Sequence, residues 1–193
     1  NWSLPFDDRR QGFLMGDGGA CMILQSEEKM KEFGSTSYAK LHKAGMASDA
    51  VDMVNPEGSG TRTSMKDALN HAGLDKVDYV CTHGTSTVAG DPIEYEAVSE
   101  IMPGTKMWAP KSKIGHTLAA SGILEGCYAI ESMRQGWVPH IQNLKDSSID
   151  VHGTLLRENE VYSNQLRTRT MLNNSFGFGG KCMSQVIEVN LDG

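Results

Sequence analysis

The chain has no excess of positive charge: 18 lysines and arginines stand against 24 aspartates and glutamates, a net charge of −6. Affinity for nucleic acid comes largely from a basic face, so this balance argues against a general nucleic-acid binder. Long hydrophobic runs are also missing. No stretch approaches the roughly 18 apolar residues of a membrane-spanning helix, and Asn1-Trp2-Ser3-Leu4-Pro5 lacks the basic-then-apolar pattern of a secretion signal. Cysteine is scarce, and Cys21, Cys81, Cys127 and Cys182 form no CxxC pair. Neither a zinc site nor a disulfide framework is therefore expected, and a reducing, cytoplasmic setting is the default. No internal repeat and no low-complexity linker interrupts the chain. Its 39% of hydrophobic residues are spread along 193 positions, which excludes disorder and leaves enough for a full core. The chain begins at Asn and runs straight into a structured-looking segment, so it reads as part of a longer protein.

What is there alternates between helix and strand. Phe13 to Gln25 is apolar at both ends with a glycine-rich middle, which predicts a buried strand with a tight bend. Ser26 caps a short helix that Gly34 ends, and Tyr38 to Gly45 reads as a strand. Val54 to Arg62 is rich in turn formers, and a helix follows from Thr63 to Ala72 with Gly73 as its stop. The strand Val77 to Cys81 runs directly into a polar cluster. Beyond it come a helix (Pro92 to Met102), a short strand (Met107 to Ala109) and a helix (Leu118 to Arg134). Strands at Arg167 to Leu172 and Met183 to Val189 are expected to flank a loop at Asn173 to Lys181. Lys145 to Asn164 has the weakest pattern and reads as a surface excursion. The class is α/β, with polar loops gathered where strands end, the usual place for a ligand in such folds.

Three segments could carry chemistry. His83-Gly-Thr-Ser-Thr87, with Gly90-Asp91-Pro92 and Glu94, has the layout of a binding loop, although Asp91-Pro92 is equally a good helix start. In Lys111-Ser-Lys-Ile-Gly-His116 the histidine sits near a helix N-terminus, whose positive end keeps an imidazole neutral. A neutral ring can donate a hydrogen bond to an oxyanion, and a purely structural histidine fits the same pattern. Asn173-Asn-Ser-Phe-Gly-Phe-Gly-Gly180 makes sense as a loop whose backbone approaches a ligand, or as a glycine-kinked connection between strands.

Taken together, and in this order, these segments resemble the C-terminal half of the β-ketoacyl-acyl carrier protein synthases, condensing enzymes of the thiolase superfamily. Pro5-Phe-Asp7, Arg10, Gly12-Phe13 and Gly16-Asp-Gly18 are similar to the family's opening segment. His83 with Gly90-Asp91 and Glu94 matches the first histidine motif, Lys111 with Gly115-His116 the second, and Asn174 to Gly180 the closing loop. The resemblance runs from Pro5 to Val189. The HGTST form and Val51 to Pro56 are nearest to the fatty-acid elongating synthases, while the KSxIGH form also occurs in polyketide ketosynthases.

The resemblance implies one half of a thiolase-like fold over residues 1–193: a mixed five-stranded sheet with helices on both faces. It implies decarboxylative condensation of a malonyl thioester with an acyl thioester, with His83, His116 and Lys111 catalytic. Glu94 would partner Lys111, and Phe178 would gate the site. Thr85 and Thr87 would bind the phosphopantetheine arm, which travels on an acyl carrier protein rather than being a cofactor of this chain. No metal is implied. The nucleophilic cysteine belongs to an N-terminal half, and none of the four cysteines here has its context, so this chain alone should be inactive. Ser121 replaces a family alanine, which adds a hydroxyl that must find a partner, and Cys182 replaces an asparagine. Expected partners are the acyl carrier protein, the N-terminal half of the same fold and a second subunit, as homodimer or heterodimer. The alternative is a non-catalytic, chain-length-factor-like subunit. A thiolase would replace one histidine by cysteine and an initiating synthase would pair His with Asn, so both fit less well. Half of the fold's core would be missing, which predicts an exposed apolar patch.

Overall fold

The computed structural model describes residues 2–53, 56–162 and 167–191. Helix α1 (Glu27–Phe33) starts where the Ser26 side chain accepts from the Lys29 N–H and stops at Gly34 in the left-handed region, as its caps predict. The strands β1 (Ala39–Leu41) and β2 (Gly45–Ser48) come next, then α2 (Ser59–Ala72). That helix begins four residues earlier than expected, inside the predicted turn-rich stretch, of which Val54 and Asn55 lie outside the described residues. Then follow β3 (Tyr79–Cys81), α3 (Gly90–Ile101), β4 (Lys106–Trp108) and α4 (Lys111–Ile114). A single 3-10 turn (Leu118–Ala120) leads into α5 (Ser121–Arg134). The short β5 (Trp137–Val138) and β6 (Glu160–Val161) pair with each other, and the long β7 (Thr168–Gly177) and β8 (Lys181–Asn190) form a hairpin.

The main sheet is mixed. β4, β3 and β7 are parallel neighbours, β8 returns antiparallel to β7, and β1 and β2 both pair with β8 along successive parts of its length. Six strands thus fill five positions. Ser184 of β8 faces Ser64 of α2 and pairs in register with Asn174 of β7, whereas the next residue of β7, Ser175, meets Gly122 of α5. Helices therefore lie on both faces, since successive side chains of a strand point to opposite sides. Met65, Ala68, Val80, Val98, Leu172 and Val186 are wholly buried within the core. Among the described residues no helix is long and apolar enough to cross a membrane.

Three expectations are corrected. Phe13 to Gln25 is not a buried strand. Met15 makes one isolated bridge to His116, and Leu14, Met15, Ile23 and Leu24 point outward, Ile23 with 89% of its surface exposed. Its glycines bring the backbone against the segment 114–117: a Cβ on Gly16 would run into the Ile114 carbonyl. The apolar side chains are left on the outside. Asn173 to Lys181 is likewise not a loop. β7 continues through Gly177, and only Phe178-Gly179-Gly180 turns, with both glycines at φ above +70°. The Lys145–Asn164 excursion is also partly ordered into the sheet. Leu155 bridges Met107, so backbone from the excursion covers the free edge of β4; Ser163 and Asn164 lie outside the described residues.

Candidate active site

β3 delivers its last residue, Cys81, beside β7, and the chain leaves the sheet as Thr82-His83-Gly84. Glu94, on the first turns of α3, fixes this exit. Its two carboxylate oxygens accept from the His83 and Gly84 N–H groups, each at 2.8 Å, and Asn174 Nδ2 of β7 donates to the same carboxylate at 2.9 Å. Asn174 is itself oriented by the Ser184 hydroxyl, which donates to its Oδ1 at 2.8 Å. Burial pushes the Glu94 carboxyl above the usual range, and these three donors pull it back. Glu94 is therefore not the partner of Lys111. Its oxygens are occupied in shaping the backbone under His83.

The partner of Lys111 is Glu125 of α5, with Nζ 2.7 Å from Oε1 and both side chains completely buried. Nζ also lies 3.3 Å from His83 Nδ1. An ammonium only donates, so Nδ1 is the acceptor and the ring proton sits on Nε2. Burial first, then the Lys111 charge and the neighbouring His116, hold the His83 pKa well below the ordinary imidazole value. Burial raises the Glu125 carboxyl to about 7 against the pull of Lys111. Sequence reasoning missed Glu125. The signal available was a glutamate on the inward side of α5, at a position where its helix is otherwise apolar or small.

His116 reaches the same place from the loop after α4. The two imidazoles meet edge to face at 5.6 Å between centroids. The Phe13 ring packs on His116 at 4.8 Å and the Phe176 ring on His83 at 5.5 Å. The His116 backbone is pinned on both sides, with its N–H donating to Leu14 O and its carbonyl accepting from Gly16. Leu118, at φ +53, turns its own N–H onto His116 Nδ1 at 3.2 Å. A non-glycine residue held there stores strain of about 1–3 kcal/mol, which is typical where backbone is aimed at a functional group. Nδ1 is thereby an acceptor and Nε2 carries the proton, as in His83. Burial and Lys111 lower the His116 pKa to about 4. Both rings are therefore neutral Nε2–H donors at neutral pH.

The N-terminal segment fastens the histidine loop from outside. Gly12 donates to Ser86 O at 2.6 Å, Leu4 N–H to the Ser86 hydroxyl, and Phe6 N–H to Asp91 Oδ2 at 2.7 Å. Asp91 is buried, which raises its pKa to about 7. Thr85 and Thr87 lie on the same loop with their hydroxyls 3.1 Å apart, and Thr87 also accepts from Gly90 N–H. One hydroxyl donates to the other, so one O–H of the pair remains for a ligand. Phe178 sits on the hairpin turn with 66% of its surface exposed; Phe176, two residues earlier, is the ring that packs on His83. Cys81 and Cys182 are buried, and burial raises their thiols; Cys127 is raised likewise, and Cys21 is exposed. Among the described residues no group of three or more His, Cys, Asp or Glu side chains could hold a metal ion.

The arrangement provides two adjacent neutral donors, a buried cation behind them and a hydroxyl pair at the entrance. That is equipment for stabilising negative charge on an oxygen. Comparison with known proteins identifies the family. The family model for the C-terminal domain of β-ketoacyl synthases matches residues 38–145. A curated relative, 3-oxoacyl-[acyl-carrier-protein] synthase 2 of Coxiella burnetii, is 36% identical over 92% of this chain and 44% of its own length. A crystal structure of a β-ketoacyl synthase from Burkholderia phymatum superposes with a TM-score of 0.87 at 32% identity, over 97% of this chain and 46% of that one. The ishigamide ketosynthase/chain length factor superposes with a TM-score of 0.88 at 25% identity, over 98% and 47%. The chain spans less than half the length of the curated relative it matches. This thiolase-like chain belongs to the β-ketoacyl synthase family, as its C-terminal domain.

Proposed function

We propose that this chain supplies the decarboxylation half of a β-ketoacyl synthase site, in fatty-acid or polyketide synthesis. The observation that carries the reading is the pair of adjacent Nε2–H imidazoles, both held neutral beside a buried lysine. A malonyl thioester on an acyl carrier protein loses CO₂, and the C–C bonding pair moves into an enolate whose thioester oxygen becomes negative. His83 and His116 donate to that oxygen, each worth roughly 3–4 kcal/mol in a comparable site. The enolate carbon then attacks an acyl thioester on a cysteine of the N-terminal half, forming the new C–C bond and releasing the thiolate. Thr85 and Thr87 hold the phosphopantetheine arm, which arrives with the carrier protein as substrate, and Phe178 guards the entrance.

The same reading supplies a cover for the exposed apolar side chains. Leu14, Met15, Ile23, Leu24, Leu118 and Ile123 lie on or beside the α5 face, and the N-terminal half of the same fold would pack there. A dimer in a cytoplasmic setting completes the reading.

In the full-length protein, His83→Ala and His116→Ala should each lower malonyl-thioester decarboxylation by about a hundredfold or more. Near-normal rates in either variant overturn the assignment. The likeness to a ketosynthase/chain length factor favours one second reading, a non-catalytic subunit that keeps this fold. The residue at the nucleophile position of the N-terminal half separates the two: cysteine for the enzyme, another residue for the subunit.

A further inference from the structure

The hydroxyl of Ser121 lies 2.8 Å from His116 Nδ1 and 3.2 Å from the hydroxyl of Thr117, and the side chains of both Ser121 and Thr117 are buried. The direction of these bonds is fixed by an atom that cannot turn. Leu118 N–H already donates to Nδ1, so that nitrogen carries a lone pair and Ser121 must donate to it. Having spent its only proton there, Ser121 can meet Thr117 only as an acceptor, so Thr117 donates to Ser121. The chain Thr117 → Ser121 → His116 therefore runs one way. Thr117 is itself held in place: Gly16 and Gly18 of the N-terminal segment lie against its methyl, which a Cβ on Gly16 would approach to 3.2 Å and one on Gly18 to 3.4 Å. With the methyl turned to the glycines, the hydroxyl faces Ser121.

We infer that Ser121 is a positioning residue for His116, holding the imidazole in the Nε2–H form and in the orientation that the proposed decarboxylation uses. The inference rests on the reading of His116 as an oxyanion donor. An alanine at this position would leave Nδ1 with the longer Leu118 contact alone and Thr117 without an acceptor. The serine thus supplies a second donor to Nδ1 and an end point for the threonine hydroxyl.

The test uses the full-length protein labelled with ¹⁵N in histidine, compared with Ser121→Ala and Thr117→Val. In the Ser121→Ala protein the His116 Nδ1 resonance should move towards that of a pyridine-type nitrogen with fewer donors. kcat for malonyl decarboxylation should fall by roughly tenfold, the scale of one lost hydrogen bond, with KM for the malonyl thioester unchanged. Thr117→Val keeps the methyl and removes the upstream donor, so it should move the same resonance and kcat in the same direction by less. It also carries the test if Ser121→Ala fails to fold. An unmoved resonance, an unchanged kcat, or a loss confined to KM overturns the role of Ser121. Full activity in His116→Ala instead overturns the underlying reading, so the two failures are distinct.

Discussion

Lys111 Nζ and Glu125 Oε1 stand 2.7 Å apart with neither side chain touching solvent, and the same ammonium reaches His83 Nδ1. One buried pair thereby does two things, neutralising a charge inside α5 and setting which nitrogen of His83 bears the proton. Breaking such a pair from one side leaves an uncompensated buried charge, at a cost of about 3–5 kcal/mol.

Lys111→Met should therefore lower stability by that amount, and Lys111→Met with Glu125→Leu should recover most of it. Decarboxylation should not return with the stability, because His83 Nδ1 has lost its donor in both proteins. Urea denaturation paired with a decarboxylation assay separates the two effects. Activity recovering in step with stability would mean that Lys111 acts only as ballast for the fold.

Asp91 gives a dependence on pH. Its folded pKa of about 7 lies above the ordinary carboxyl value near 4, so the folded state holds this proton more tightly than the unfolded state does. The resulting stability is fully present below about pH 4 and is lost as pH rises through about 7. His116 works in the opposite sense. Its folded pKa of about 4 means that stability falls as pH drops below the ordinary imidazole value. Asp91→Asn keeps an acceptor for Phe6 N–H and removes only the carboxyl titration. The difference in stability between wild type and this variant should shift against wild type between pH 4.5 and 7.5, by an amount on the order of a few kcal/mol. A flat difference would refute the shift.

Gly16→Ala tests the strap, the segment from Leu4 to Gly16 that fastens the histidine loop from outside. The added Cβ would collide with the Ile114 carbonyl oxygen, a backbone atom that cannot swing aside, and would press on Thr117. Overpacking of this kind costs about 1–3 kcal/mol. Since Gly16 N–H also holds the His116 carbonyl, decarboxylation should fall along with stability. Gly19→Ala is the control, because a Cβ there meets nothing within 4 Å. Equal effects of the two substitutions on melting temperature would count against a close-packed strap.

The elements that could be read from sequence were those whose signals are local. Ser26 and Gly34 bracket α1 because a cap acts within one turn, and His83 and His116 stand where their motifs put them because strand ends and helix starts are short-range features. Tertiary competition hid the rest. Leu14, Ile23 and Leu24 read as core because apolar residues normally are, yet their side chains face out, and beside Leu14 it is the Gly16 backbone that packs inward against Ile114. Glu94 looked like the natural partner for Lys111, but three N–H donors had claimed it, and the carboxylate that meets the lysine comes from a helix 14 residues further along. Asn173 to Lys181 looked irregular because its three glycines were read as a loop. The hairpin uses only the last two, Gly179 and Gly180, to turn.

The strap from Leu4 to Gly16 has its own thermodynamic consequence. Its fastenings to Ser86, Asp91 and His116 land on the segments that carry the two imidazoles. Its anchor, Phe6, is completely enclosed, so the strap cannot peel away without opening the space beneath the histidine loop. The amides of Leu4, Phe6, Gly12, Gly16 and His116 then form one cooperative unit of opening, and its free energy, rather than that of the whole domain, limits how long the site stays assembled.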